Sequence, residues 1–144
     1  MVEESTYSEL GKQLAEIGLT FFQVRERMAH MPNERKEGVL RGFSLRKEGV
    51  LRGFSLATLN SSPDDSYRAA WEIKDEIISK SAARKLLETN LRLASRAAIE
   101  TENEWFLEWV IQEAEKRGEA VLTDYTRRTF KEVKLKRLSE EFGI

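Results

Sequence analysis

His30 is the only histidine of the chain, and there is no cysteine. That leaves too few parts for the commonest catalytic kits. A zinc site needs three or four imidazole, thiolate or carboxylate donors in one cluster, and a Ser-His-Asp triad needs its histidine placed between nucleophile and carboxylate. Acids at short spacing offer a second kind of chemistry. Glu34/Glu37 and Glu72/Asp75 stand three apart, as a helix-borne carboxylate pair for a hard cation would. Glu34 and Glu37 also fall in a first helical turn, where the helix dipole accounts for them. Trp105 and Trp109 lie one turn apart with Phe106 beside them. Such a group floors a ligand pocket, anchors a partner or fills a core. Arg127, Arg128, Lys131, Lys134, Lys136 and Arg137, with Tyr125 nearby, can track phosphates with salt-dependent, sequence-blind affinity. No glycine-rich phosphate loop is present.

Two of these patterns resemble known families. Arg25-Glu26-Arg27-Met28-Ala29-His30 is similar to the Arg-x(4–6)-His motif of HEPN ribonucleases, which are also small all-α domains. The resemblance implies that Arg25 and His30 act at RNA phosphates, across a dimer. It covers six residues of the chain and sits in an early helix, where the family carries it later. The pairs Glu34/Glu37 and Glu72/Asp75 resemble the Glu-x-x-Glu and Glu-x-x-Asp pairs that hold Mg²⁺ in nucleotide pyrophosphohydrolases of the MazG type. The final Leu138–Ile144 looks like the first helix and turn of a helix-turn-helix, with no recognition helix after it.

The elements that must position these residues are helices. Lys and Arg number 24 against 25 Asp and Glu, a net charge of −1, which argues against a whole-molecule polyanion binder. The charges are nevertheless segregated. Six glutamates and no base lie between Glu100 and Glu115, and eight bases against three acids lie from Lys116 to Arg137. This predicts two neighbouring antiparallel helices of opposite charge. The absence of cysteine suits a reducing cytoplasm, and no apolar run nears the roughly 18 residues of a membrane span.

Apolar spacing of three and four predicts a first helix from Ser5 or Thr6 to His30, running through Gly11 and Gly18. A second starts at Asn33. A third starts at Ser62-Pro63-Asp64-Asp65, with a capping serine, proline at the first position and acids at the positive dipole end. A break is expected at Thr101-Glu102-Asn103-Glu104, read as a capping box, and a softer one at Thr89-Asn90. The fourth helix should stop at Gly118, and Thr123-Asp124 should cap a fifth that ends at Gly143.

Residues 35–45 and 46–56 are the same eleven letters, Arg-Lys-Glu-Gly-Val-Leu-Arg-Gly-Phe-Ser-Leu, in tandem. Eleven residues advance a helix by about three turns plus 20°, so a duplication of this length keeps a helical face aligned, whereas an odd insertion inverts a strand. The segment therefore reads as helix. Its row Gly38, Gly42, Gly49 and Gly53 can let a neighbouring helix come close. The rival readings are a hairpin turning at Lys47-Glu48-Gly49, and one copy in place with the other looped out.

The expectation is one all-α domain over residues 1–144, an antiparallel bundle of about five helices around Phe21, Trp71, Leu87, Trp105, Trp109 and Phe142, with the duplication in the second helix. The expected function is non-catalytic: an intracellular module that binds a protein partner or itself through Gly42, Phe43, Gly53, Phe54, Trp105 and Trp109. It needs no cofactor, no metal and no membrane. The alternatives are nucleic-acid binding through Arg127, Arg128, Lys131 and Lys134, and a HEPN-like ribonuclease.

Overall fold

In a computed structural model, which describes residues 4–31, 35–36, 39–40 and 45–144, the fold is all-α. The helices are α1 (Glu4–Glu16), α2 (Phe21–Met28), α3 (Leu45–Thr58), α4 (Pro63–Glu72), α5 (Glu76–Thr89), α6 (Leu91–Glu100), α7 (Glu104–Lys116) and α8 (Ala120–Phe142). Two two-residue strands, β1 (Arg35–Lys36) and β2 (Val39–Leu40), pair antiparallel, Arg35 opposite Leu40 and Lys36 opposite Val39. The chain divides into two compact units, 1–82 and 83–144, the boundary falling inside α5.

Among the described residues eight helices stand where five were expected, because the chain also breaks at Gly18, Lys74 and Asn90. Gly18 takes φ +90° and ends what was expected to be one helix from Ser5 to His30. Thr20 then starts α2 with a capping box: its Oγ1 accepts from the Gln23 N–H at 3.3 Å, and the Gln23 Oε1 accepts from the Thr20 N–H at 2.9 Å. Lys74, at φ 57°, separates α4 from α5, and the Asp75 carboxylate caps α5 by accepting from the Ile78 N–H at 3.0 Å. The expected break near Glu100 is present, but the cap is Asn103 and not Thr101. Asn103 Oδ1 accepts from the Phe106 N–H at 3.3 Å, after a left-handed Glu102 at φ 49°. Asn90 makes the softer break a full one, its side chain accepting from the Leu93 N–H at 3.1 Å. Gly118 ends α7 as expected, and Gly143 ends α8 at φ 67°. The start of α8 moves back from Thr123 to Glu119, because the Thr123 hydroxyl donates to the Glu119 carbonyl at 2.8 Å, inside the first turn.

In the first unit the core is built around α3. Val50, Leu51 and Phe54 join Phe21, Val24 and Met28 of α2 and Ala69 and Ile73 at α4 in one buried cluster. α1 crosses α3 with the two backbones in contact. A Cβ placed on Gly11 would stand 1.9 Å from the Val50 carbonyl oxygen, and one on Gly53 would stand 1.9 Å from the Ser8 carbonyl oxygen. Both distances are far inside van der Waals contact, so this crossing requires both glycines. On its other side α3 is clasped to α4 by two buried serines. Ser55 Oγ donates to the Ser66 carbonyl at 2.7 Å, and Ser66 Oγ donates to the Ser55 carbonyl at 2.6 Å.

The repeat therefore has two outcomes. The second copy, Arg46–Leu56, lies wholly within α3, and Lys47-Glu48-Gly49 is helix, not the turn of a hairpin. Of the first copy, residues 35–36 and 39–40 make the short pairing; the helix start expected at Asn33 lies outside the described residues. The expected core also changes. Phe21 is buried, while Trp71, Leu87, Trp105 and Trp109 are half-buried. Phe142 is 70% exposed, one turn and more past Arg137, where α8 makes its last ion pair with α7. The largest enclosed side chains are instead Tyr67, Phe54 and Phe106.

The crossing sets a prediction. Gly11→Ala forces apart two backbones that cannot rotate out of the way, and should lower unfolding free energy in a urea titration by about 3 kcal/mol, the upper end of the overpacking range. Exposed Lys12→Ala, the next residue of the same helix, should change it by less than about 0.5 kcal/mol.

Candidate interaction surface

The second unit positions the basic helix against the acidic one. Arg137 grips Glu104 with Nε on Oε2 and with Nη2 at 3.2 Å from Oε1. Lys136 Nζ lies 3.1 Å from Glu102, and Arg127 pairs with Glu115. The α8 partners descend from 137 to 127 as the acids ascend from 104 to 115, so α7 and α8 run antiparallel. The charge blocks pair as the sequence suggests. The Arg137 guanidinium is held above its already high ordinary pKa, first by its hydrogen bond to Glu104 and then by the charges of Glu104 and Glu141.

The inner side of α8 is small and partly polar. Thr126 is fully buried, within 3.3 Å of the Ser95 hydroxyl and donating to the Leu122 carbonyl, and Thr123 and Val133 are buried beside it. The opposite side mixes bases with uncovered apolar groups. Val121 is 85% exposed, Tyr125 52% and Leu135 61%. Among the described residues Arg128, Lys131 and Lys134 make no ion pair. Arg128 lies over the Tyr125 ring at 6.0 Å, and Lys134 over Phe130 at 5.8 Å. A hollow of about 340 Å³ opens among Arg127, Phe130, Lys131, Lys134, Leu135 and Leu138. Another, of about 490 Å³, lies nearer the helix start, with Arg92, Val121, Tyr125 and Arg128 on its walls. The sequence signal for this face was available: Val121, Tyr125, Arg128, Glu132, Leu135, Ser139 and Phe142 alternate steps of four and three, the spacing of one helical stripe.

The other expected residues separate. Arg127, Arg128, Lys131 and Lys134 all sit exposed on α8. Trp105 and Trp109 pack ring to ring at 4.8 Å on α7, with the Arg84 guanidinium over Trp109 at 5.3 Å. They form a half-buried pair, one ring of which already carries a cation. Gly53 and Phe54, expected to face a partner, face α1 and the core instead; Phe54 has no exposed surface. Gly42 and Phe43 lie outside the described residues.

Of the residues behind the two family resemblances, Arg25, Glu72 and Asp75 have partners in the fold. Arg25 reaches Glu72 of α4 at 3.7 Å. His30, exposed just past the end of α2, borders an open hollow of about 630 Å³ with Ile17, Leu19, Gln23, Glu26 and Arg27. Asp75 meets Arg52 Nε at 3.4 Å while capping α5, so both acids of the Glu72/Asp75 pair are taken. Glu34 and Glu37 lie outside the described residues. Among the described residues no three acidic or histidine side chains gather as metal ligands would, and no helix is long and apolar enough to cross a membrane.

No family model matches the chain, and neither a curated protein nor a solved structure is significantly similar to it.

The α7–α8 ion pairs should respond to salt and not to mild alkali. A base whose folded pKa is raised contributes stability below its unfolded value and loses it only as pH climbs past the folded one, which for Arg137 is strong alkali. Arg137→Gln should therefore lower the melting temperature by the same amount at roughly pH 7 and pH 9. The difference from the unaltered chain should shrink between about 0.1 M and about 1 M NaCl as the charges are screened.

Proposed function

We propose that the protein is a non-catalytic helical module that binds a protein partner through the outer face of α8, and that the partner presents an acidic amphipathic helix. The observation that carries this reading is the hollow in which exposed Leu135 and half-buried Phe130 stand among Lys131 and Lys134, with exposed Tyr125 under Arg128 nearer the helix start. Contiguous apolar area rimmed by charge marks an interaction site. α7 supports the choice of partner, because it is itself a helix with glutamates along one edge that lies against α8. A second copy of the chain would bring the same cations face to face, which disfavours self-pairing through this surface. The absence of cysteine fits an intracellular setting.

Nucleic acid is the second reading, favoured by the same three cations and by the Tyr125 ring beneath Arg128. Phosphates, however, take nothing from Leu135 or Leu138, whereas an amphipathic helix uses both kinds of group.

Fluorescence anisotropy with a labelled designed helix of alternating glutamate and leucine positions tests this. Binding is expected to weaken about tenfold on Leu135→Asp, which removes apolar contact worth about 1.4 kcal/mol, and further on Lys131→Glu/Lys134→Glu. No binding, or binding indifferent to Leu135→Asp, overturns it. Duplex DNA bound tightly, with a steep salt dependence and no loss on Leu135→Asp, moves the assignment to the second reading. A dimer in light scattering that Leu135→Asp dissolves moves it to self-association.

A further inference from the structure

We propose that the place α3 occupies against α1 and α4 accepts either copy of the repeat, so that Arg35–Leu45 can replace Arg46–Leu56 there. This does not depend on the function proposed for α8.

Apart from Thr58, every residue that α3 buries lies inside the second copy: Gly49, Val50, Leu51, Gly53, Phe54 and Ser55. The contacts that fix α3 are made by the same segment. Gly53 admits the Ser8 backbone, Ser55 exchanges hydrogen bonds with Ser66, and Arg52 reaches Asp75. Each of these residues has its duplicate eleven positions earlier. Val39, Leu40, Arg41, Gly42, Phe43 and Ser44 bring the same atoms in the same order, so α1 and α4 have no means of telling the copies apart. The exchange keeps the direction of the helix. It moves eleven residues from the α2–α3 connection to the α3–α4 connection, and connections of that kind lengthen at small entropic cost.

The flanks decide which copy is in place. After the second copy come Ala57, Thr58 and Leu59; after the first come Arg46, Lys47 and Glu48. Thr58 is 5% exposed, with its hydroxyl bonded to the Phe54 carbonyl at 2.8 Å. Lysine at that position would have to lift its charge out to water. On the entry side the order reverses, since Asn33 and Ser44 cap equally well but Glu34 puts an acid at the helix start where the second copy has Leu45. The buried threonine outweighs that acid, and the second copy holds the place while the first remains a substitute. Exchange requires α3 to leave and return, a sub-global opening of the first unit.

The test marks one copy at a time. Gly53→Leu blocks the crossing for the second copy only, Gly42→Leu for the first only, and the double variant for both. Exchange predicts that Gly42→Leu leaves the melting temperature unchanged, that Gly53→Leu folds with a reduced one, and that the double variant does not fold. Gly11→Leu, which has no duplicate, should behave like the double variant. Because the chain has no cysteine, Ser44→Cys supplies a sole thiol reporter. Its labelling by a maleimide should slow at least tenfold when Gly53→Leu is added, as position 44 takes over the buried site of Ser55. Equal loss of folding in the single and double variants, or a labelling rate of the Ser44→Cys thiol that Gly53→Leu leaves unchanged, overturns the proposal.

Discussion

The first unit depends on a distance. Where α1 and α3 cross, a hydrogen atom is all that fits between Gly53 and the Ser8 carbonyl, and the same holds between Gly11 and the Val50 carbonyl. Helices usually pack about 8–10 Å apart with side chains interlocked between them; this pair has no side chain at its closest points. Glycine weakens a helix by roughly 1 kcal/mol relative to alanine. The tertiary contact offsets that local cost, and a single β-carbon would remove it. The Ser55–Ser66 clasp repeats the device on the other side, with hydroxyls small enough to reach the facing backbone. Val50, Leu51 and Phe54 can share one core with α2 and α4 only because α3 is held this closely on both flanks.

The second unit is organised by charge and by small side chains. α7 contributes Phe106, Leu107 and Val110 to the interior, while its glutamates reach out to the cations of α8. Exposed ion pairs of this sort contribute little to stability. The short turn at Gly118 between α7 and α8 sets their antiparallel direction, and the pairs fit it, Arg137 meeting Glu104 and Arg127 meeting Glu115. What the pairing leaves over is a helix satisfied along one edge and unsatisfied along the other. That asymmetry is why an interaction surface is to be sought on α8 and not on the glycine-rich helix, whose special residues are consumed inside the fold.

The sequence made the helical class, the Gly118 and Gly143 stops, the Pro63 start and the α7–α8 charge pairing legible, because each is a local or nearest-neighbour effect. It was less informative at Lys74 and Glu102, where a residue other than glycine takes a left-handed turn that no residue type announces. Gly18 was visible but ambiguous, since glycine inside an apolar period either weakens a helix or ends it. Hydrophobicity places Phe142 in the core, although its burial depends on whether α7 extends far enough to cover it. The repeat sets a limit of principle: two segments with the same letters have different places in the molecule, so nothing inside the segment can decide between them. Of the surface on α8, the cations are legible directly, and the stripe Val121, Tyr125, Leu135 and Phe142 is visible by its spacing but does not say whether it faces a core or solvent.

The reach of α8 beyond α7 has a thermal consequence. Past Arg137, residues 138–142 continue as helix with Glu141 as a neighbour of that arginine and no residue there fully buried. Terminal turns held mainly by their own backbone bonds fray, and their amides exchange with solvent well before those of a packed interior. A ligand lying on the Leu135–Phe142 stretch must first quiet that fraying, and ordering residues on binding carries an entropic cost. Its association should accordingly be more exothermic than its affinity alone suggests, and should loosen on warming while α7 and the first half of α8 are still intact.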